Sequence, residues 1–452
     1  MKTTDLAVIG AGPGGLAAAI TAAQAGLRVT LIDESPRPGG QYLRGTGRQA
    51  TQSIPRAEQR TRAFLQQLPH PHIDLQTGTL VWGIDDRTLA LHGPNGNFNL
   101  QAEQIIIATG GRELVPPFPG WTLPGVMTLG AAQILTKEYG LLPGKRIALA
   151  GSGPLLLAAA SALLAKDARI IAILEATHPG AWLPHVNALW GNFNRLLEGN
   201  AYLRTIQRHK IPYRFGQTVI QATGKGQLEY IVTAKLDPRG RPVPGSEKEI
   251  AADTLCLGFG LIPNTELAQL AECQHEYSTT RGGWVPARDK YLQTSQPGIY
   301  AVGEAAGVGG ADMALMEGQI AALAITRRFN QIPALQRQLR PLRRFAVMLN
   351  TLFAPPLALN TLASDETIIC RCQEVRAGEI RQAVRQGNHT LGGLKNSIHI
   401  GQGQCQGRTC GPLLTRLIAS QTHEPPEAAG QFRPRPPLKP ISLGALAQEQ
   451  RP

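Results

Sequence analysis

At 452 residues the chain is too long for one hydrophobic core, and 42% apolar residues with 50 glycines exclude a disordered or fibrous protein in favour of a globular α/β enzyme of several domains. A net charge of +13 would suit a nucleic-acid partner, but aromatics reach only 5% and no long Lys/Arg block is present, so none is expected; a bound pyrophosphate or an acidic partner accounts for the basic surface. Six cysteines in such a chain exclude a disulfide framework, and four in one C-terminal segment point to metal or redox chemistry in a reducing compartment. No signal peptide is recognised and no apolar run is expected to approach the ~18 residues of a membrane helix, so the protein is expected to be soluble and cytoplasmic.

The first element is a short apolar run at 6–9, followed by Gly10-Ala11-Gly12-Pro13-Gly14-Gly15, an Ala-rich helical pattern to Ala25, a stop at Gly26, and a second apolar run ending on Asp33. This order is the dinucleotide fingerprint. Gly10 allows the tight turn, Gly12 lets backbone N–H groups approach a pyrophosphate, and Gly15 seats the helix against the strand. Asp33 lies where an adenosine ribose offers its hydroxyls, and Pro13 and Gly14 complete the turn. The loop Glu34-Ser35-Pro36-Arg37-Pro38-Gly39-Gly40-Gln41 is too rich in Pro and Gly for regular structure, and it makes Glu34, Gly40 and Gln41 further candidate contacts. A helical segment at 57–68 precedes a strand meander at 80–84, 88–91 and 97–100, which contributes Val81 as a candidate and has Asn95-Gly96 in its turn. A buried strand then ends in Ala108-Thr109-Gly110-Gly111, with Thr109 and Gly110 as candidates.

With the opening fingerprint, this Ala-Thr-Gly turn resembles the two-dinucleotide-binding-domain flavoproteins, the class containing glutathione and thioredoxin reductases. The resemblance implies FAD at the first fingerprint and a crossing into a second nucleotide domain. A strand at 146–150, the turn Gly151-Ser152-Gly153-Pro154-Leu155-Leu156, a helix at 157–165 and a strand ending on Glu175 repeat the motif. Leu156 replaces the third glycine and is expected to push the helix from its strand, and no Arg follows Glu175 to meet a 2'-phosphate. A degenerate pocket, an NAD(P) site or a site for another adenine nucleotide are the alternatives here.

A helical pattern at 191–208 and strands at 213–219 and 228–235 follow. Cys256 lies in an apolar segment resembling the strand that leaves the second domain; Cys256 and Cys273 read as structural. Thr294-Ser295-Gln296-Pro297-Gly298-Ile299-Tyr300-Ala301-Val302-Gly303-Glu304 resembles the segment that closes the FAD domain. By that resemblance Gly303 and Glu304 hold the ribityl or pyrophosphate end, with Glu304 one methylene longer than the usual Asp. A helix at 311–327 is expected to point its N-terminus at the flavin. Arg337, Arg340, Arg343 and Arg344 punctuate an apolar segment that Pro341 interrupts, which predicts two short helices or a kinked one. The segment reads as a solvated linker face, with a membrane-surface helix as the alternative.

Cys370-Arg371-Cys372 and Cys405-Gln406-Gly407-Arg408-Thr409-Cys410 supply four thiolates, enough for an iron–sulfur cluster or a tetrahedral zinc. C-x-C is unusual for a zinc ribbon, which favours [2Fe-2S]. The segment resembles the bacterioferritin-associated-ferredoxin (BFD) type of [2Fe-2S] domain, with helical pieces at 378–386 and 391–395. Gly403-Gln404-Cys405-Gln406-Gly407-Arg408, the Pro38-Gly39-Gly40-Gln41 loop, the second fingerprint and the tail Phe432-Arg433-Pro434-Arg435-Pro436-Pro437-Leu438 are similar to the FAD-containing A (alpha) subunits of opine oxidases, hydrogen cyanide synthase and heteromeric proline or hydroxyproline dehydrogenases.

The expected architecture is therefore an α/β two-dinucleotide-binding-domain flavoprotein with a small helical BFD-like [2Fe-2S] domain. The FAD domain occupies 1–118 and 266–330, a degenerate nucleotide domain 119–265, a basic helical linker 331–362, the cluster domain 363–420, and a Pro-rich tail 421–452 that is either disordered or an extended strap. The resemblance implies an electron-transfer subunit beside a second, substrate-oxidising flavoprotein subunit. It leaves open a small ferredoxin-like subunit, an adenine nucleotide or FMN at a subunit interface, and peripheral contact with the inner face of the membrane through partners. No nucleophile–base pair is visible, so no catalytic residue is named. A stand-alone NAD(P)H-dependent reductase and a flavoprotein with a zinc-binding interaction module are the other readings.

Overall fold

The strand that opens the fingerprint, Lys2–Ile9, has Leu6, Ala7 and Val8 wholly buried. Such a run without alternation belongs to a parallel strand covered on both faces. It lies between Val29–Asp33 and Gly96–Ile107, parallel to both, in a seven-stranded sheet of the computed structural model, which describes residues 1–44, 55–181 and 192–447. Gly191, where a helical pattern was expected to begin, and tail residues 448–452 lie outside these. The described helix runs from Phe193 to Arg208.

The chain forms two units: residues 1–112, 261–350 and 433–452, and residues 113–260 and 351–432. In the first, Ile73–Thr77 extends the parallel sheet on one side, and Ile299–Ala301 pairs in parallel with Gly96–Ile107. The meander Leu80–Asp85, Thr88–Gly93 and Gly96–Ile107 is antiparallel. The run expected at 97–100 and the buried strand expected before Ala108 are one twelve-residue strand, whose first half pairs with the meander and whose second half pairs with the parallel sheet. Helices Pro13–Gln24 and Ala311–Ile325 are Ala-rich because they meet backbone to backbone: a Cβ on Gly318 would lie 2.1 Å from the Gly14 oxygen.

Ile332–Leu352 is a single helix that contains Pro341, not two helices. Ile332 and Leu339 join the core that holds Leu16 and Ile320, while Arg337, Arg340, Arg343 and Arg344 face solvent. The expectation that no apolar run is long enough for a membrane is corrected: Phe329 to Leu362 passes that test by length and composition. Its helix nonetheless stops at Leu352, because Pro355-Pro356 cannot donate to a helical ladder, and the chain resumes as a short 3-10 turn, Leu357–Leu362. The tail at Leu438 is an extended strap, with its N–H donating to the Trp82 carbonyl at 2.8 Å. Lys439 pairs with Glu34.

In the second unit a five-stranded parallel sheet runs in the order Tyr213–Phe215, Ile170–Glu175, Ile147–Gly151, Thr254–Gly258, Val126–Thr128. Leu156 is wholly buried among Ile147, Leu149, Leu163 and Ile173, so the helix Pro154–Leu164 packs through the side chain that replaces glycine. Cys370 ends the first strand of a short hairpin, Ile368–Cys370 and Val375–Arg376, and Cys372 lies in its turn. Cys405 lies in the turns before helix Cys410–Thr422 and Cys410 at the start of that helix, with helices Ala377–Arg385 and Leu391–Ile398 between the two pairs. Helices are predicted from the sequence only between the cysteine pairs; the last, which begins on Cys410, is additional to them. Within this unit the Trp121 indole N–H donates to the Ile368 carbonyl at 2.7 Å, and the Arg371 guanidinium stands over the Trp121 ring at 5.9 Å.

Candidate functional site

Ile9, Ile107 and Ala301 are in register, so the turns after them, Gly10 to Gly15, Ala108 to Gly110 and Val302 to Glu304, leave the first sheet at one edge. Ligands bind at such carboxyl ends in open α/β sheets. A Cβ on Gly10 would lie 2.3 Å from the Ala108 oxygen and one on Gly15 1.7 Å from the Gly10 oxygen, so both positions require glycine. A Cβ on Gly12 would meet only the Gly40 Cα, at 4.0 Å, which leaves that side of the turn open for a pyrophosphate. Asp33 is buried; its Oδ2 accepts from the Ala11 N–H at 2.6 Å and its Oδ1 from the Ser35 N–H at 2.8 Å. Its remaining lone pairs are free for ribose hydroxyls. The cradle fits FAD.

The other candidates take different parts. Gly40, at φ +59°, brings its loop against the turn: a Cβ there would be 2.8 Å from the Gly12 Cα. Gln41 and Glu34 are exposed beside it. Val81 is half-buried two residues past Thr79, whose N–H donates to the Asp33 carbonyl at 3.0 Å. The Thr109 hydroxyl donates to the Asn264 carbonyl at 2.9 Å and is thereby committed to the protein, while Gly110 at φ +71° faces open space. Glu304 accepts from the Gly310 N–H, and burial raises its carboxyl above the usual range. Replacing Gly15 by Ala is expected to push the first helix off its strand at about 1–3 kcal/mol. FAD affinity would fall about ten- to a hundredfold, which titration of the apoprotein would measure.

Two residues not legible in the sequence hold the closing turn. Glu317 is wholly buried; it accepts from the Gly303 N–H at 3.0 Å and pairs with Arg288 at 3.0 Å. Arg288 also donates to the Ala301 carbonyl at 2.8 Å and the Ala306 carbonyl at 3.3 Å, and so spans the turn. The one signal for them was an acid in the middle of the Ala-rich helix Ala311–Ile325, where its neighbours Met316 and Ile320 are apolar and an acid needs a partner.

The second fingerprint differs. Glu175 is buried, and its carboxylate accepts from Gly153 N–H at 2.9 Å and Thr177 N–H at 3.0 Å. Burial raises its carboxyl despite these bonds. A Cβ on Gly153 would lie 3.2 Å from Cγ and 3.3 Å from Cβ of Phe353, so a phenyl side chain covers the face that is open at Gly12. The residues present do not fit a pyrophosphate there.

The four candidate ligands form two pairs, Cys370 with Cys410 and Cys372 with Cys405. Cys370 is pulled down to about 5 because the Cys410 thiol donates to it, helped by the N–H groups of Gly401, Gln373 and Cys372. Cys410 is pushed far up by the same pairing and by burial. Among the described residues no three or more His, Cys, Asp or Glu side chains form a ready single-ion cage. Sulfur alone, in two pairs with backbone N–H donors, is a donor set that fits a [2Fe-2S] cluster. Cys256 and Cys273 are buried elsewhere.

Residues 4–323 match the family described as pyridine nucleotide-disulphide oxidoreductase, and residues 368–420 match the BFD-like [2Fe-2S] binding domain. Hydrogen cyanide synthase subunit HcnB of Pseudomonas aeruginosa is 34% identical, with 97% of each chain covered. The A-type subunit of opine oxidase from Rhizobium meliloti is 35% identical, with 99% of each covered. The crystal structure of L-proline dehydrogenase from P. horikoshii superposes with a TM-score of 0.71 at 20% identity, over 99% of this chain and 80% of that one, a likeness of fold.

Proposed function

The chain belongs to the pyridine nucleotide-disulphide oxidoreductase family and carries a BFD-like [2Fe-2S] binding domain, and on that premise we propose that it is the FAD- and cluster-bearing electron-transfer subunit of a multi-subunit amine or amino-acid dehydrogenase or oxidase. The observation that carries this reading is the combination, in one chain, of a glycine cradle open to FAD with two cysteine pairs, over nearly the full length of relatives named as subunits. When bound, FAD accepts two electrons together and releases them singly, and a [2Fe-2S] cluster takes them one at a time. The protein's own work is to seat the pyrophosphate against Gly12, hold the ribose at Asp33, keep the Gly303 turn closed through Arg288 and Glu317, and present four sulfurs. Substrate oxidation falls to a second flavoprotein subunit, with opines, glycine, proline and hydroxyproline as the substrate class. A small ferredoxin-like subunit completes the route for electrons. An adenine nucleotide or FMN belongs at a subunit interface, because Phe353 and Leu156 leave no seat at the second turn. The complex is placed in the cytoplasm, held to the inner face of the membrane only through partners.

Co-expression with neighbouring subunits tests this. The complex is expected to reduce an artificial dye with one of the named substrates, and the isolated chain is expected to be inactive with all of them. Anaerobic NADH or NADPH is expected to leave the flavin band unbleached; rapid bleaching would establish the stand-alone reductase instead. Zinc without iron or acid-labile sulfide would establish the interaction-module reading.

A further inference from the structure

We propose that Phe432 is a positioning residue for the cluster, a ring that seals the cysteine loop and keeps water from the N–H groups bonded to its sulfurs; this rests on the [2Fe-2S] reading above. The Phe432 ring lies in a slot made of glycine. A Cβ on Gly407 would be 2.1 Å from its Cδ2, one on Gly401 2.7 Å from its Cζ, and one on Gly411 3.2 Å from its Cδ2. Gly401 and Gly407 have φ of +80° and +83°, so each position excludes other residues both by conformation and by the ring it touches.

The same two glycines face the sulfurs. The Gly401 N–H donates to Cys370 and the Gly407 N–H to Cys405. Gly403, between them, leaves no space on its Cβ side: an added carbon would lie 2.3 Å from the Cys372 Cβ. One phenyl ring thus covers the backbone that supplies hydrogen bonds to one sulfur of each pair, and all of these residues belong to the second unit. Hydrogen bonds to the sulfurs and solvent exposure are two of the levers a protein has on an iron–sulfur potential, and Phe432 acts on the second. The reduced cluster carries one more negative charge than the oxidised one. Water admitted at the slot solvates that charge and raises the potential.

The test compares full-length wild type with F432A, F432L and F432Y, purified anaerobically in the complex. Iron and sulfide per chain, the midpoint potential from an EPR-monitored titration, the rate of bleaching in air and amide exchange over residues 399–411 are measured. F432A is expected to show a more positive potential, bleaching several-fold faster, and faster exchange at Gly401 and Gly407, with F432L and F432Y near wild type. F432A with wild-type potential and bleaching overturns the proposal. If F432A loses its iron, retention by F432L and F432Y supports a ring-sized seal, and loss in both overturns it. Wild type that carries no iron and sulfide fails the cluster reading itself and is told apart by that assay.

Discussion

A Glu317→Ala chain is expected to be purified almost free of FAD and to be less stable by about 3–5 kcal/mol, the usual cost of leaving one partner of a buried ion pair uncompensated. Arg288 is only 9% exposed and loses its 3.0 Å partner with little solvent to take its place, whereas Arg343, 3.7 Å from Glu317 and half exposed, can turn to solvent. The Gly303 N–H loses its acceptor at the same time. Because Arg288 bonds the carbonyls on both sides of that turn, its displacement moves Gly303 and Glu304 together. Glu317→Gln retains an acceptor for Gly303 but not the charge, and should lie between wild type and alanine. Urea unfolding and flavin absorbance per chain measure the two effects separately. An alanine variant that unfolds early yet holds full FAD at low temperature would limit Glu317 to stability.

Replacing Cys410 by Ala is expected to abolish iron and sulfide binding, while Cys256→Ala and Cys273→Ala retain both. Cys410 is 1% exposed at the first turn of helix Cys410–Thr422, and its thiol is the donor that pulls Cys370 toward thiolate. Removing it leaves Cys370 without its sulfur partner and breaks one of the two pairs. The other two cysteines cannot substitute. Cys256 lies in the second sheet's core, where burial pushes its thiol up to about 12, and Cys273 bonds the Thr294 hydroxyl at 3.3 Å in the first unit. Metal analysis with the visible absorption of the cluster reads the outcome. A Cys410 variant with wild-type iron would remove it from the ligand set.

The features legible in the amino-acid sequence are those whose physics is local. Gly10, Gly12 and Gly15 stand out because a tight turn, a close approach to phosphate and a helix pressed on a strand each forbid a side chain at one position, and their spacing is that of a single loop. The cysteine pairs stand out because ligand chemistry needs thiols at short separations, and Asp33 because it ends the next strand. The partners were settled by tertiary packing. Arg288 and Glu317 are 29 residues apart and meet because the loop that bridges Arg288 to Thr294 packs on the helix. Phe353 closes the second turn from 200 residues away in sequence, and Phe432 covers Gly401, Gly407 and Gly411 from beyond the last cluster-domain helix. Leu156, expected to push its helix from the strand, is absorbed by the core. A residue's type limits what it can touch, but burial and chain topology choose which distant group it does touch; here that choice left the first fingerprint open and filled the second.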